Sequence, residues 1–152
     1  MGHAVMKGHV EAPIEQVFDY GVDFSRTAEW NVMIVEMEPR PPLAKVGDGF
    51  KGKMKLLGRI YEGEGEVTAF DRPRMFAIKS TQPMGGHQNW TVRFTPAGTG
   101  TDFDDEIDYE VPLGIVGAVA DKLFLAREVQ RAMNQSGENF SVQAARGVPQ
   151  PV

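Results

Sequence analysis

With 152 residues, 41% hydrophobic, 24% charged and a formal net charge of -5, the chain has the make-up of one globular domain. It lacks the basic surface that nucleic acid or an anionic membrane needs to replace counterions. It holds no cysteine, which excludes disulfides, thiol catalysis and cysteine-ligated metal.

Residues 3–10 alternate, with Ala4, Met6, Gly8 and Val10 on one face and His3, Val5, Lys7 and His9 on the other, which predicts a half-buried strand with both histidines exposed. Ala12-Pro13 ends it, and Ile14, Val17 and Phe18 form the stripe of a short helix. Asp23-Phe24-Ser25 reads as a turn in which Ser25 caps a second short helix, Arg26 to Trp30. Six more strands are predicted at 33–38, 50–57, 59–70, 74–81, 87–95 and 101–110, separated by Gly- and Pro-containing turns. Along them Phe50, Gly52, Met54 and Leu56 share a face, as do Tyr61, Gly63, Gly65 and Val67, then Gln88, Trp90, Val92 and Phe94, then Phe103, Asp105, Ile107 and Tyr109. The rows Glu62, Glu64, Glu66 and Asp102, Asp104, Glu106, Asp108 fall on the opposite, solvent side. If those two strands were neighbours, like charges would face each other, and Lys51, Lys53 and Lys55 would relieve them.

The segment Val111 to Arg146 predicts one long helix, with Pro112 suited to its first turn and a stripe of Val116, Val119, Leu123, Ala126, Met133, Gly137 and Phe140. The apolar stretch at its start, Val111 to Ala120, ends at Asp121-Lys122, short of the roughly 20 residues of a membrane span. No positively charged stretch leads into an apolar run at the N-terminus, so a cytoplasmic protein with no integral membrane association is expected. Residues 147–152 hold two prolines and no pattern and are expected to be a disordered tail to a single domain, 1–146.

Strands in succession followed by a helix mean an α+β fold with an antiparallel sheet. One long helix can bury its stripe only against that sheet, and a sheet curved around a helix leaves room for a hollow. The order and the local motifs together resemble the START-like, or SRPBCC, superfamily with the helix-grip fold, and within it the polyketide cyclase/dehydrase-like group. The residues carrying this are Val10 to Phe18 (first strand into first helix), Asp23-Phe24 with Glu29-Trp30-Asn31, Val67 to Phe76 (strand, turn, strand) and Gly98 to Thr101 (last hairpin). The resemblance spans about residues 3–143. It implies a curved seven-stranded sheet around the C-terminal helix, with two short helices between strands 1 and 2. It does not choose among carriers, receptors, cyclases and co-chaperones.

The inward faces are apolar and large, and the residues expected to line a cavity are Met33, Met37, Phe50, Met54, Tyr61, Val67, Trp90, Phe103, Asp105 and Tyr109, with Leu123 and Met133 from the helix. The expected partner is a small hydrophobic ligand, with a homodimer compatible with the sequence. Asp105 stands out as a carboxylate on an apolar face, which is costly unless it is paired or protonated. It is either a buried acid or a residue returned to solvent by a register slip. Asp105, Tyr109 and His87 are the candidates for moving a proton; His87 equally reads as a loop histidine without a task. No histidine–carboxylate spacing predicts a metal site, and no cofactor is expected. Three functions remain open: a binding module or carrier for a lipid, polyketide, isoprenoid or quinone; a polyketide cyclase/dehydratase-type enzyme using a cavity acid; and a protein-interaction or co-chaperone-like role.

Overall fold

The computed structural model describes residues 2–82, 85–110 and 122–146. In chain order the elements are β1 (Gly2–Val10), α1 (Ile14–Val22), a 3-10 helix (Phe24–Glu29), β2 (Ile34–Met37), β3 (Gly49–Leu56), β4 (Arg59–Asp71), β5 (Met75–Thr81), β6 (His87–Ala97), β7 (Gly100–Glu110) and α2 (Lys122–Arg146). The strands form one antiparallel sheet in the order β1-β7-β6-β5-β4-β3-β2, curled into a half-barrel. From β2 to β7 each strand pairs with its sequence neighbour, as short turns demand. The β3–β4 turn, for instance, is Leu57-Gly58, both at positive φ (52° and 77°), the geometry that two-residue hairpins prefer. The exception is β1, which crosses to pair with β7 because α1 and the 3-10 helix carry the chain over the concave side to the far edge.

Phe18, fully buried on α1, is the hub of that concave side. Its ring meets Phe70, Phe76 and Phe94 edge-on at centroid distances of 5.4, 5.9 and 5.7 Å. Helix α2 lies along β1. Gly137 permits this approach, since a Cβ there would stand 2.7 Å from Met6 Cγ. The helix is fixed by polar ties rather than by apolar contact alone. Gln130 Nε2 donates to the Val5 carbonyl (2.8 Å) and Asn139 Nδ2 to that of Trp30 (3.1 Å), while the Val32 amide donates to Ser136 Oγ (3.1 Å).

Two expectations need correction, and one condition left open is resolved. The buried stripe of α2 is Val129, Met133, Ser136, Gly137, Phe140 and Ala144, whereas Ala126 is exposed and Leu123 is 59% exposed. At 1.5 Å per residue Ala126 lies about 16 Å before Gly137, the point at which the helix meets Met6 of β1. Ser25 does not cap the 3-10 helix; its hydroxyl donates to Asp23 Oδ1 at 2.7 Å. The two acidic rows are not neighbours, because β5 and β6 separate β4 from β7; instead Lys53 faces Glu62, Lys51 faces Glu64 and Lys79 faces Glu66. The expected first half of the long helix, including Val116 and Val119, and the tail 147–152 lie outside the described residues.

Candidate functional site

The concave face of β3 to β7, together with α1 and the 3-10 helix, borders a small, partly open hollow with a cavity volume of about 100 Å3. Its wall is mostly apolar: Phe24, Ile34, Met37, Phe50, Met54, Phe76, Ile78, Trp90 and Val92. Room exists partly because two wall positions carry no side chain. Gly52 and Gly63 face each other across β3 and β4, and a Cβ on Gly52 would stand 2.4 Å from Met37 Sδ. Met37 therefore lies flat on bare backbone.

Two polar groupings interrupt this wall, and they differ in how their hydrogen bonds are met. At one end Gln88, on β6, sits opposite Ser80 on β5, with Gln82 just beyond β5; all three are buried. Ser80 Oγ and Gln82 Nε2 both donate to Gln88 Oε1 at 2.6 Å, and Gln88 Nε2 donates to Gln82 Oε1 at 3.0 Å. This cluster satisfies itself.

Thr27, Trp30 and Asp105 also border the hollow, and their atoms Oγ1, Nε1 and Oδ1 are buried with no partner among the described residues. Asp105 is 2% exposed and pairs across the sheet with Met6 and Val92. Burial pushes its carboxyl up to about 8, and the adjacent charge of Asp104 acts in the same direction. At neutral pH the group is mainly a neutral acid, able to donate as well as accept. A smaller void runs behind it, lined by Met6, Phe94, Phe103 and Phe140, and Trp30 and Asp105 border both spaces. Lys53 is the one cation on the lining among the described residues, and it is engaged with Glu36 at 3.2 Å.

Of the residues expected to line a cavity, Met37, Phe50, Met54, Trp90 and Asp105 come together around the hollow, and Phe103 reaches the void behind. Met33, Val67 and Met133 are buried in the packed core instead. Tyr61 is half-buried and its hydroxyl meets no partner, but it does not border the hollow. Tyr109 is buried under the start of β1, where a Cβ on Gly2 would stand 2.2 Å from its ring, and burial raises its hydroxyl pKa. Leu123, exposed on α2, does not border the hollow either. His87 points away from it: Gln88 takes the inward position on β6, so His87 falls on the outer face, 3.6 Å from Glu110. Sequence reasoning passed over Thr27, Asn31, Ser80 and Gln82 as lining residues, and it placed Gln88 on the right face without assigning it a role. Among the described residues, no three His, Asp or Glu side chains gather to hold a metal ion, and no helix is long and apolar enough to cross a membrane.

Among curated proteins none matches this sequence at a significant level. Solved structures do share its architecture. A START superfamily protein from Mycobacterium smegmatis superposes with a TM-score of 0.76 at 14% identity, over 96% of this chain and 99% of that one. The Zhui aromatase/cyclase from Streptomyces sp. R1128 gives 0.74 at 16%, over 95% and 93%. The protein TTHA0849 from Thermus thermophilus gives 0.75 at 16%, over 93% and 96%. At such identities the likeness establishes the START-like fold alone. The family model described as polyketide cyclase / dehydrase and lipid transport matches residues 1–143, and this chain belongs to that family.

Proposed function

We propose that the protein binds a small, largely apolar ligand in the hollow between its sheet and its helices. The observation that carries this reading is the hollow itself: a mostly apolar wall that also includes three residues whose buried polar atoms have no partner among the described residues. A closed core would leave no such space, and buried polar groups are as a rule satisfied. Family membership supports the same reading at the level of ligand binding or polyketide processing. Burying about 200 Å2 of ligand surface at roughly 25 cal/mol per Å2 supplies ~5 kcal/mol before the costs of association, enough for a carrier that must also release its cargo.

The test is twofold. Mass spectrometry of the protein purified without denaturation should find an apolar small molecule carried with it. A hydrophobic fluorescent dye should bind the folded protein and be displaced by apolar competitors. A protein that binds no dye and carries nothing would remove the reading.

One observation favours a second reading, a cyclase/dehydratase-type enzyme. Asp105 is a buried acid with its pKa raised toward neutrality at the edge of the hollow, the condition for donating and accepting a proton at working pH. The variant Asp105→Asn separates the two readings: a carrier keeps its ligand, while an enzyme keeps its ligand and loses turnover.

A further inference from the structure

Resting on the reading of the hollow as a ligand site, we infer that its inner end is a subsite for an uncharged ligand oxygen, such as a ring ketone, held by Trp30, Thr27 and Asp105, and that it turns carboxylates away. Three side-chain polar atoms there are buried and without partners, and all three residues border one space. Trp30 and Asp105 both also border the void behind. Each unmade bond is a cost of folding that a ligand atom can remove on arrival.

The chemistry of the three groups decides which atom fits. An indole N–H donates only, a hydroxyl donates or accepts, and a neutral carboxyl donates its O–H. Donors therefore predominate, and the complementary group is an acceptor with two lone pairs. A carbonyl oxygen answers that description. Among the described residues, the surroundings of Asp105 supply no compensation for a negative charge. Asp105 is faced by Met6 from β1, Val92 from β6, Phe140 from α2 and Trp30, with Phe103 two residues along its own strand. None of these titrates, and the nearest charge acting on it is that of Asp104, of the same sign as a ligand carboxylate. Lys53, the cation on the lining among the described residues, is held by Glu36. An anion would enter a site of low polarity with no counter-charge, and it would set a second carboxyl against Asp105. The aromatic wall of Phe24, Phe50, Phe76 and Trp90 favours a flat ring system behind the oxygen. The Ser80–Gln82–Gln88 cluster makes no comparable demand, because its bonds are already closed.

Three naphthalene probes test this by calorimetric or fluorescence titration of the wild-type protein at about pH 6.5: 2-acetonaphthone, 2-naphthoate and naphthalene. The ketone should bind about 10-fold tighter than naphthalene, the worth of one or two buried hydrogen bonds, and the carboxylate should bind more weakly than naphthalene. Trp30→Phe keeps the ring and removes the N–H; it should bring the ketone down toward the affinity of naphthalene and leave naphthalene itself unchanged. Asp105→Asn keeps a donor and should retain the preference for the ketone. Should naphthalene bind while the ketone gains nothing over it, or should the carboxylate bind as well as the ketone, this subsite falls and the apolar-ligand reading stands. Should none of the three bind, the reading of the hollow falls with it.

Discussion

The two faces of β7 set the same kind of side chain in opposite circumstances. On the convex face Asp102, Asp104, Glu106 and Asp108 stand in water, each beside a basic group. His9 lies 2.8 Å from Asp102, Lys7 3.9 Å from Asp104, and His3 2.8 Å from Asp108 and 3.6 Å from Glu106. On the concave face Asp105 is buried, has no ion partner and leaves Oδ1 without a hydrogen bond. Water and exchangeable partners make the convex row nearly neutral for stability. The lone inward carboxyl costs folding free energy whenever it ionises. A group that weakens the fold and that any apolar residue of similar size could replace is better explained by what it contacts in the hollow.

The sharpest way to break this contrast is Asp105→Asn. Folding raises the carboxyl from 3.8 to about 8, so the group favours the folded state only while protonated, and stability falls as pH rises through that interval. The displacement corresponds to on the order of 5 kcal/mol at full ionisation, an upper figure because water entering the hollow reduces it. The variant should match the wild type near pH 4 and exceed it by several kcal/mol near pH 9 in denaturant titrations. Parallel pH profiles for the two proteins would show that Asp105 is not a buried acid.

Gln88→Leu tests the self-satisfied cluster on the same concave face. It strands the Ser80 hydroxyl and the Gln82 amide, and it should cost about 2–3 kcal/mol with no dependence on pH between 5 and 9. Asp104→Asn acts from the convex side. Removing that neighbouring charge should lower the Asp105 pKa, followed by carboxyl NMR, while changing stability by less than about 0.5 kcal/mol. The smallest effect belongs to His9→Gln. His9 is fully exposed, and its pKa is raised above 6.5 by its bonds to Glu11 and then Asp102. Its contribution is complete below pH 6.5 and is lost as pH rises through the raised value. A slight fall in Tm should be measurable near pH 5 and absent near pH 9.

How much of this could be read from the sequence depended on whether a period existed to read. Phe103, Asp105, Ile107 and Tyr109 alternate over a long strand, and all four are buried in the structure, so the inward face of β7 was legible without coordinates. The strand count was legible for the same reason, and the START-like resemblance rested on the order of local motifs along the chain. The other polar residues that border the hollow were not legible. Thr27 and Trp30 belong to a 3-10 helix and its end, too short to carry a periodic signal. Ser80, Gln82 and Gln88 become one cluster only through the β5–β6 register, which no single strand encodes. A search for apolar lining also passes over the polar residues that give a pocket its selectivity. Leu123 falls on the helical period that was read, yet it is exposed, so the period alone did not show which part of the helix is covered.

The pairing of β1 with β7 also fixes an order in time. His3 and Asp108 meet across 105 residues, whereas every other pair of adjacent strands is consecutive along the chain. Contacts of such separation carry the largest loop-closure entropy, and they are favourable only after intervening strands have brought the ends together. During synthesis β1 emerges before the other strands of this sheet and waits for β7, the last of them. Met6, which covers Asp105 from the β1 side, therefore arrives late, and the inner end of the hollow becomes dry only when the first strand closes the sheet.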